Sequence, residues 1–423
     1  MTSENRTYVP RILDGLLERY LAVMGAVLIE GPKASGKTAT ALQHAASTVR
    51  LDRDPNAQTT ASVLPQQTLK GDVPRLIDEW QVVPDLWNAI RHEVDDRAPR
   101  KGQFILTGSS VPNDDVNRHS GAGRIATLQM RPMTLFESGH STGKASLSEL
   151  FAGEFAAAAG SDLDLIGVLE RMVIGGWPGL LGINVEDAVL VNGAYLDQVC
   201  EVDVALVSGR SRDPFMVRRM LASLARNVAT EASFQQIASD TGGAEGPLDR
   251  ETVSVYHSAL RRLSLVEDLP AWNTHLRSKA QLRKTPKRLF VDPSLAVAAL
   301  GAGVQKLLGD LNYTGFLFES LVIRDLRVYA QALGGQVFHY RDSNGLEVDA
   351  IVELRDGRWA AFEVKMGTED SIELAARSLH RFAETVDTAK VGSPVVLAVI
   401  VPTGIAYRRP DNILVIPLTA FGP

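Results

Sequence analysis

Residues 31–38 read GPKASGKT, and the fold is decided there. A chain that turns its backbone N–H groups inward around a phosphate needs glycine where a side chain would collide or where φ becomes positive. Gly31 and Gly36 hold those places, with Pro32, Lys33, Ala34 and Ser35 forming the turn between them. In that pattern Lys37 reaches the β- and γ-phosphates and the Thr38 hydroxyl ligates Mg2+. The flanks agree with it. AVLIE at 26–30 is a strand-length apolar run, and residues 38–47 form an alanine-rich helical stretch. Strand, glycine loop and helix in succession predict a nucleoside triphosphate site, with ATP as the expected ligand and ADP as its product.

Downstream, residues 75–81 read RLIDEWQ. Asp78 ends an apolar strand, where it would hold Mg2+ through water, and Glu79 beside it would polarise the attacking water. A surface turn is the bland reading of an isolated Asp-Glu pair, but an apolar strand leading into it favours the chemical one. Residues 104–110, FILTGSS, form a strand ending in small polar residues. In AAA-type ATPases the strand beside the Asp-Glu strand ends in a polar sensor of the γ-phosphate. Thr107, Ser109 and Ser110 are candidates, with Ser109 the first choice. Arg124, in GAGRI, is a candidate arginine finger, in cis or from a neighbouring subunit, since a guanidinium offsets charge on a transferred phosphoryl group.

The 423 residues are 45% hydrophobic, 22% charged and 6% aromatic, which is the composition of a globular chain with several cores. The net charge of −6 argues against a constitutive coat on nucleic acid, although a local basic groove is compatible with it. The longest apolar runs, such as SPVVLAVIVP at 393–402, are far short of a membrane span. The N-terminus shows no basic leader followed by an apolar segment. The single cysteine, Cys200, allows no internal disulfide and reads as a packed small hydrophobe. These features predict a cytoplasmic protein with no membrane partner.

The patterning divides the chain in three. Residues 1–138 alternate strand and helix, which predicts a parallel sheet with helices on its faces. Residues 139–272 turn helical, and FQQIASDTGG followed by DRETVSVYHSALRRLSLVEDLP reads as two helices and an apolar exit. Val255, Ala259, Leu260, Leu263 and Val266 would share one face. That pair resembles a winged-helix element; plain helical packing is the other reading. In residues 273–423 strands return in RLFVDP, QVFHYR, EVDAIVEL, WAAFEVKM, PVVLAVIV and ILVIPL, with two long helices among them, predicting a second α/β domain.

GPKASGKT, LIDEWQVVPDLWNAIR, FILTGSS and GAGRIATLQMRPMTLFE together resemble the N-terminal half of prokaryotic AAA-like ATPases that carry a C-terminal domain of unknown function. The turn Pro132, Met133, Thr134, Leu135 and Glu137 matches that family, as do GGWPGLL, KTPKRLFVDPSLAVAAL, GFLFESLVIRDL and HYRDSNGLEVDAIVEL. The resemblance spans nearly the whole chain. It names an architecture more than a task.

Asp349 lies on one predicted strand, and Glu363 and Lys365 lie on the next, two residues apart and so on one face. Asp, then Glu-x-Lys, looks like the PD-(D/E)xK nuclease core, in which a helical glutamate often completes the site; Glu319 is the match. Asp349, Glu363 and Glu319 would give hard oxygen ligands to Mg2+, and Lys365 would orient the water or stabilise the charge on the phosphorus. Leu346-Glu347-Val348-Asp349 departs from the family's Pro-Asp dipeptide, and Glu347 is a further ligand or a solvated charge. Polar alternation on an exposed face produces the same Glu-x-Lys pattern without any chemistry.

Residues 275–288 carry Arg277, Lys279, Arg283, Lys284, Lys287 and Arg288 with no carboxylate, as phosphate contacts with DNA would need. A solvated loop or protein interface has the same composition. The leading expectation is an ATPase whose nucleotide state controls a nucleic-acid-facing module, a Mg2+-dependent DNA nuclease in its fullest form. The alternative is a nucleotide-dependent protein-interaction switch of the defence or toxin–antitoxin kind, with a catalytically silent C-terminal domain. A signalling ATPase of the STAND kind fits less well, since Glu79 is present. A homo-oligomer or a protein partner is compatible with each reading.

Overall fold

β1 (Ala26–Glu30) has four consecutive buried residues, as a strand covered on both faces requires. It lies inside a five-stranded, all-parallel sheet of order β2 (Ser47–Arg50), β3 (Arg75–Asp78), β4 (Phe104–Gly108), β1, β5 (Ile125–Gln129). The computed structural model describes residues 8–108, 120–208, 213–242, 246–273 and 285–423. Alternation along β1 sends Val27 and Ile29 to a core with Leu13, Leu17 and Ile105. Ala26 and Leu28 face the opposite core, with Ile77, Trp87 and Ile90. Helices Ile12–Val23 and Lys37–His44 supply the first core, and Leu86–Asp96 the second. Helices Pro55–Val63 and Pro65–Thr68, each opened by its proline, were not apparent in the sequence. Because β1, β3 and β4 run parallel, their carboxyl ends meet at one edge, where open α/β sheets bind ligands.

Tertiary contacts gather the chain into two units. One is Met1–Pro132 with Asp203–Ser211 and Ser258–Leu265, and the other is the remainder. The second unit carries β6 (Ala145–Ser146), β7 (Ala158–Ala159), β8 (Gln336–Arg341), β9 (Glu347–Glu353), β10 (Trp359–Val364), β11 (Val396–Val401), β12 (Ile405–Arg408), β13 (Leu414–Pro417) and β14 (Phe421–Gly422). Within it β7 pairs with β12, and β6 with β14. The expected strand RLFVDP is also absent: Phe290 makes a lone bridge to Val266, and Asp292 then caps helix Pro293–Ala299. Val255 lies 39% exposed; the buried residues of helix Arg250–Arg262 are Val253, Tyr256, Ala259 and Leu260 among others.

The seven-stranded sheet of this unit has the order β7-β12-β13-β11-β10-β9-β8. Helix Leu311–Ala332 precedes β8, and helix Glu369–Thr385 joins β10 to β11. β9 runs antiparallel to both of its neighbours, β8 and β10, and β11 is parallel to β10. Trp272, Trp359, Phe382, Ile351 and Val399 form the core on one face. No helix among the described residues is long and apolar enough to cross a membrane.

Candidate functional site

The loop at 31–38 leaves β1 and enters helix Lys37–His44. A Cβ on Gly31 would stand 2.2 Å from the carbonyl oxygen of Met130, so only glycine fits. Gly36, with φ of 99°, starts the helix from the left-handed region. The first amides of that helix have no partner within it and are free to bind an anion. Nζ of Lys37 turns back to the carbonyls of Gly31 at 2.9 Å and Pro32 at 2.8 Å. Burial pulls its pKa down to about 8, with Glu79 and Asp78 opposing the shift and Lys33 adding to it. Arg11, which sequence reasoning passed over, is buried and donates to the carbonyls of Ser35 at 2.8 Å and Arg131 at 2.7 Å. Nothing in the local pattern of Arg11 signals this contact. Lys33 is exposed and pairs with Asp203 at 2.7 Å.

Asp78 sits at the carboxyl end of β3, 4% exposed. Its Oδ1 accepts from two hydroxyls, Thr38 at 2.8 Å and Thr107 at 2.5 Å. The backbone N–H of Glu79 donates to Oγ1 of Thr107 at 3.2 Å. Glu79 itself has φ of 55°, rare for a residue with a side chain, and its carboxylate accepts from the amide of Gln81. Gln81 was visible in RLIDEWQ, but only the fold shows that it holds Glu79. A hard cation would find Thr38 and Asp78 side by side, next to amides suited to phosphate, so the residues fit Mg2+ with a nucleotide.

Of the other residues expected here, Ser109 and Ser110 lie outside the described residues. Thr107 is the candidate from FILTGSS that meets Asp78. Arg124 corrects an expectation. It precedes β5, and its carbonyl accepts from Ala26 N at 3.0 Å, at the end where β1 enters the sheet. The phosphate loop lies at the other end, about 16 Å away along five strand residues. Its guanidinium pairs with Asp95 at 3.0 Å. Arg124 therefore cannot serve as a finger in cis.

The residues expected in the C-terminal half do converge, though in a form the sequence did not suggest. Lys365 Nζ lies 2.6 Å from Glu363 and 3.3 Å from Asp349. Glu319, on helix Leu311–Ala332, meets the amine of Lys287 at 2.5 Å, and Asp349 lies 3.5 Å from that amine. Asp349 also accepts the Val364 N–H at 2.8 Å, and Ser378 donates to Glu363 at 3.3 Å. Burial, with Asp349 beside it, pushes the Glu363 carboxyl up to about 8, and burial pushes Glu319 up to about 7. Glu347 is exposed and pairs with Arg341 at 3.0 Å.

Among the described residues, no three histidine, cysteine, aspartate or glutamate side chains group as a metal-ligand set. The amines of Lys287 and Lys365 lie against Glu319, Asp349 and Glu363, the residues expected to ligate Mg2+. One expectation is corrected here: Lys287 and Arg288 are not surface contacts for nucleic acid. Both are buried, Arg288 on Asp268 at 2.6 Å and over the ring of Phe234 at 4.5 Å. Arg277, Lys279, Arg283 and Lys284 lie outside the described residues.

Comparison with known proteins gives this chain three matched regions. Residues 24–138 match the family model described as an AAA domain. Residues 167–306 and 314–421 match two models described as domains of unknown function, DUF8612 and DUF4143. An uncharacterized protein of Mycobacterium tuberculosis and one of Mycobacterium bovis are each 26% identical over 366 residues, covering 86% of this chain and 75% of theirs. Among solved structures, the Walker-type ATPase of Pyrococcus abyssi is 13% identical with a TM-score of 0.42, covering 68% of this chain and 94% of that one.

Proposed function

We propose that this chain, whose residues 24–138 carry an AAA-type ATPase domain, binds a nucleoside triphosphate with Mg2+ at 31–38 and hydrolyses it through the residues gathered around Asp78. One observation carries the reading: the hydroxyls of Thr38 and Thr107 donate to the same oxygen of Asp78, beside a loop where only glycine fits. Mg2+, held with the nucleotide by Thr38 and Asp78, would neutralise phosphate oxygens. Lys37 exchanges the Gly31 and Pro32 carbonyls for those oxygens. Glu79 takes a proton from the attacking water, and Thr107 fixes the Asp78 carboxylate and the Glu79 backbone together. Arg124 acts on a neighbouring subunit's nucleotide. The test is Mg2+-dependent phosphate release by wild type and Lys37→Ala. Release by wild type that Lys37→Ala abolishes is the expected result; equal release by the two would refute the site.

For the C-terminal half, the order helix, β8, β9, β10, helix, β11 supports a PD-(D/E)xK nuclease-like fold. Helices Pro214–Arg226, Phe234–Asp240 and Arg250–Arg262, followed by antiparallel bridges from Val266 and Leu269, support a winged-helix-like element. In the leading reading these face DNA under control of the nucleotide state. The second reading, an interaction switch with a silent C-terminal domain, is favoured by the amines lying against Glu319, Asp349 and Glu363. Oligonucleotide cleavage by wild type, Asp349→Ala and Lys365→Ala separates them. Cleavage lost in both variants supports the nuclease, and background cleavage by all three supports the switch.

A further inference from the structure

Each carboxylate of the C-terminal cluster is already satisfied by donors of this chain. Both oxygens of Asp349 are engaged: Oδ1 faces Lys287 at 3.5 Å, and Oδ2 accepts from Val364 N at 2.8 Å and Lys365 at 3.3 Å. Both oxygens of Glu363 are engaged too, by Lys365 at 2.6 Å and Ser378 at 3.3 Å. Glu319 Oε1 takes the Lys287 amine at 2.5 Å. A divalent ion must instead draw such oxygens to a common point within about 2.0–2.6 Å.

Lys287 is fixed at both ends. Its backbone exchanges two hydrogen bonds with Leu269, N–H to O at 3.0 Å and O to N–H at 2.9 Å. Its side chain is 7% exposed between Glu319 and Asp349. An amine so held cannot be a surface cation that happens to lean inward, because withdrawing it would take the nearest positive charge from Glu319, nearly as buried as Lys287 itself, and from Oδ1 of Asp349.

We infer that the ammonium of Lys287 is the resident cation of this cluster, standing between Glu319 and Asp349 where a metal-dependent nuclease of this topology would carry a divalent ion. The C-terminal domain then binds no divalent ion there, and its carboxylates hold the helix Leu311–Ala332 to β9 through Lys287. This rests on the C-terminal part of the functional reading and is independent of the nucleotide site.

The experiment is Mn2+ titration followed by electron paramagnetic resonance, on nucleotide-free full-length protein carrying Asp78→Asn so that the phosphate loop holds no ion. With Lys287 intact, no stoichiometric binding is expected up to about 1 mM. Adding Lys287→Met vacates the amine and should create one Mn2+ site at least about tenfold tighter, and further addition of Asp349→Asn should remove it. A stoichiometric Mn2+ site with Lys287 intact that Asp349→Asn abolishes overturns the inference, as does a folded Lys287→Met protein that gains no site. Should Lys287→Met fail to fold, the titration with Lys287 intact decides alone: no bound ion supports the inference and one bound ion ends it. Failure of ATP hydrolysis would leave these results unchanged, so the two readings fall separately.

Discussion

Nζ of Lys37 lies 2.8 Å from the carbonyl oxygen of Pro32, so the amine that would hold a triphosphate closes its own loop instead. That amine is buried, and its pKa is pulled down to about 8, burial being the main cause. Phosphate oxygens favour the charged form, so a bound nucleotide raises the pKa again. Where free protein has lost the proton and the complex keeps it, binding must take a proton up. Affinity for the Mg2+ nucleotide should therefore be flat below pH 8 and fall by up to about tenfold per pH unit above it. Calorimetry at pH 8.5 in buffers of different ionisation enthalpy reads the uptake directly. Heats independent of buffer would remove Lys37 from the binding step.

Glu79 is held in the left-handed region with its carboxylate on the amide of Gln81. Turning that carboxylate toward a water requires the amide to let go. Glu79→Gln should keep nucleotide affinity and slow hydrolysis by about 10²–10⁴-fold, the range for a lost general base. Gln81→Ala should do the opposite and raise basal hydrolysis, with affinity unchanged. Single-turnover phosphate release measures both; slower release in Gln81→Ala would mean that Gln81 positions Glu79 rather than restraining it.

Much of this was legible in the sequence, for local reasons. GPKASGKT states its conformation through Gly31 and Gly36, and its flanks announce a strand and a helix. Glu363 and Lys365 share a side because a strand alternates, and β9 brings Asp349 to them by simple antiparallel succession. Lys287 was not legible. It stands in a run of basic residues that reads as solvated, and only pairing with Leu269 turns it inward. The place of Arg124 relative to its own subunit's loop was hidden for a related reason. A Gly-Arg pair before a strand looks the same whichever end of the sheet it occupies, and the parallel register with β1 decides that. Gln81 and Arg11 were hidden because a side chain's hydrogen bond across a turn or to a distant loop leaves no periodic trace.

Thr107 is fully buried and joins Asp78 to the Glu79 backbone. Thr107→Val keeps the shape and deletes the hydroxyl, leaving Asp78 with one donor fewer. The expected cost is about 1–3 kcal/mol in stability, with hydrolysis reduced further than that loss explains. Thr107→Ser restores the hydroxyl and should recover most of the turnover. Urea denaturation and steady-state hydrolysis of the three proteins provide the check. A Thr107→Ser protein as slow as Thr107→Val would assign the effect to the methyl group's packing.

Arg324 is a deeply buried cation in a different network, with Nη1 on Asp292 at 2.8 Å and Nε on Asp325 at 2.9 Å. The two carboxylates in turn receive Gly176 N–H at 3.0 Å and Leu135 N–H at 3.0 Å, so the ion pairs fix the turn after Pro132 and the end of helix Leu165–Ile174. Even beside Arg324, burial pushes the Asp325 carboxyl up to about 6. Arg324→Leu strands two buried charges and should cost about 3–5 kcal/mol near neutral pH. The sign with pH follows from the raised acid: the folded variant binds protons more readily than the unfolded chain, so its stability is lost as pH rises through the folded value. The deficit against wild type should therefore shrink between pH 8 and pH 5, where protonation removes a buried charge. Arg377→Leu, which breaks an exposed pair with Glu373, should show neither the loss nor the pH dependence. Urea denaturation of both variants at the two pH values tests this, and a deficit in Arg324→Leu that is the same at each would mean the stranded carboxylates are not what destabilises it.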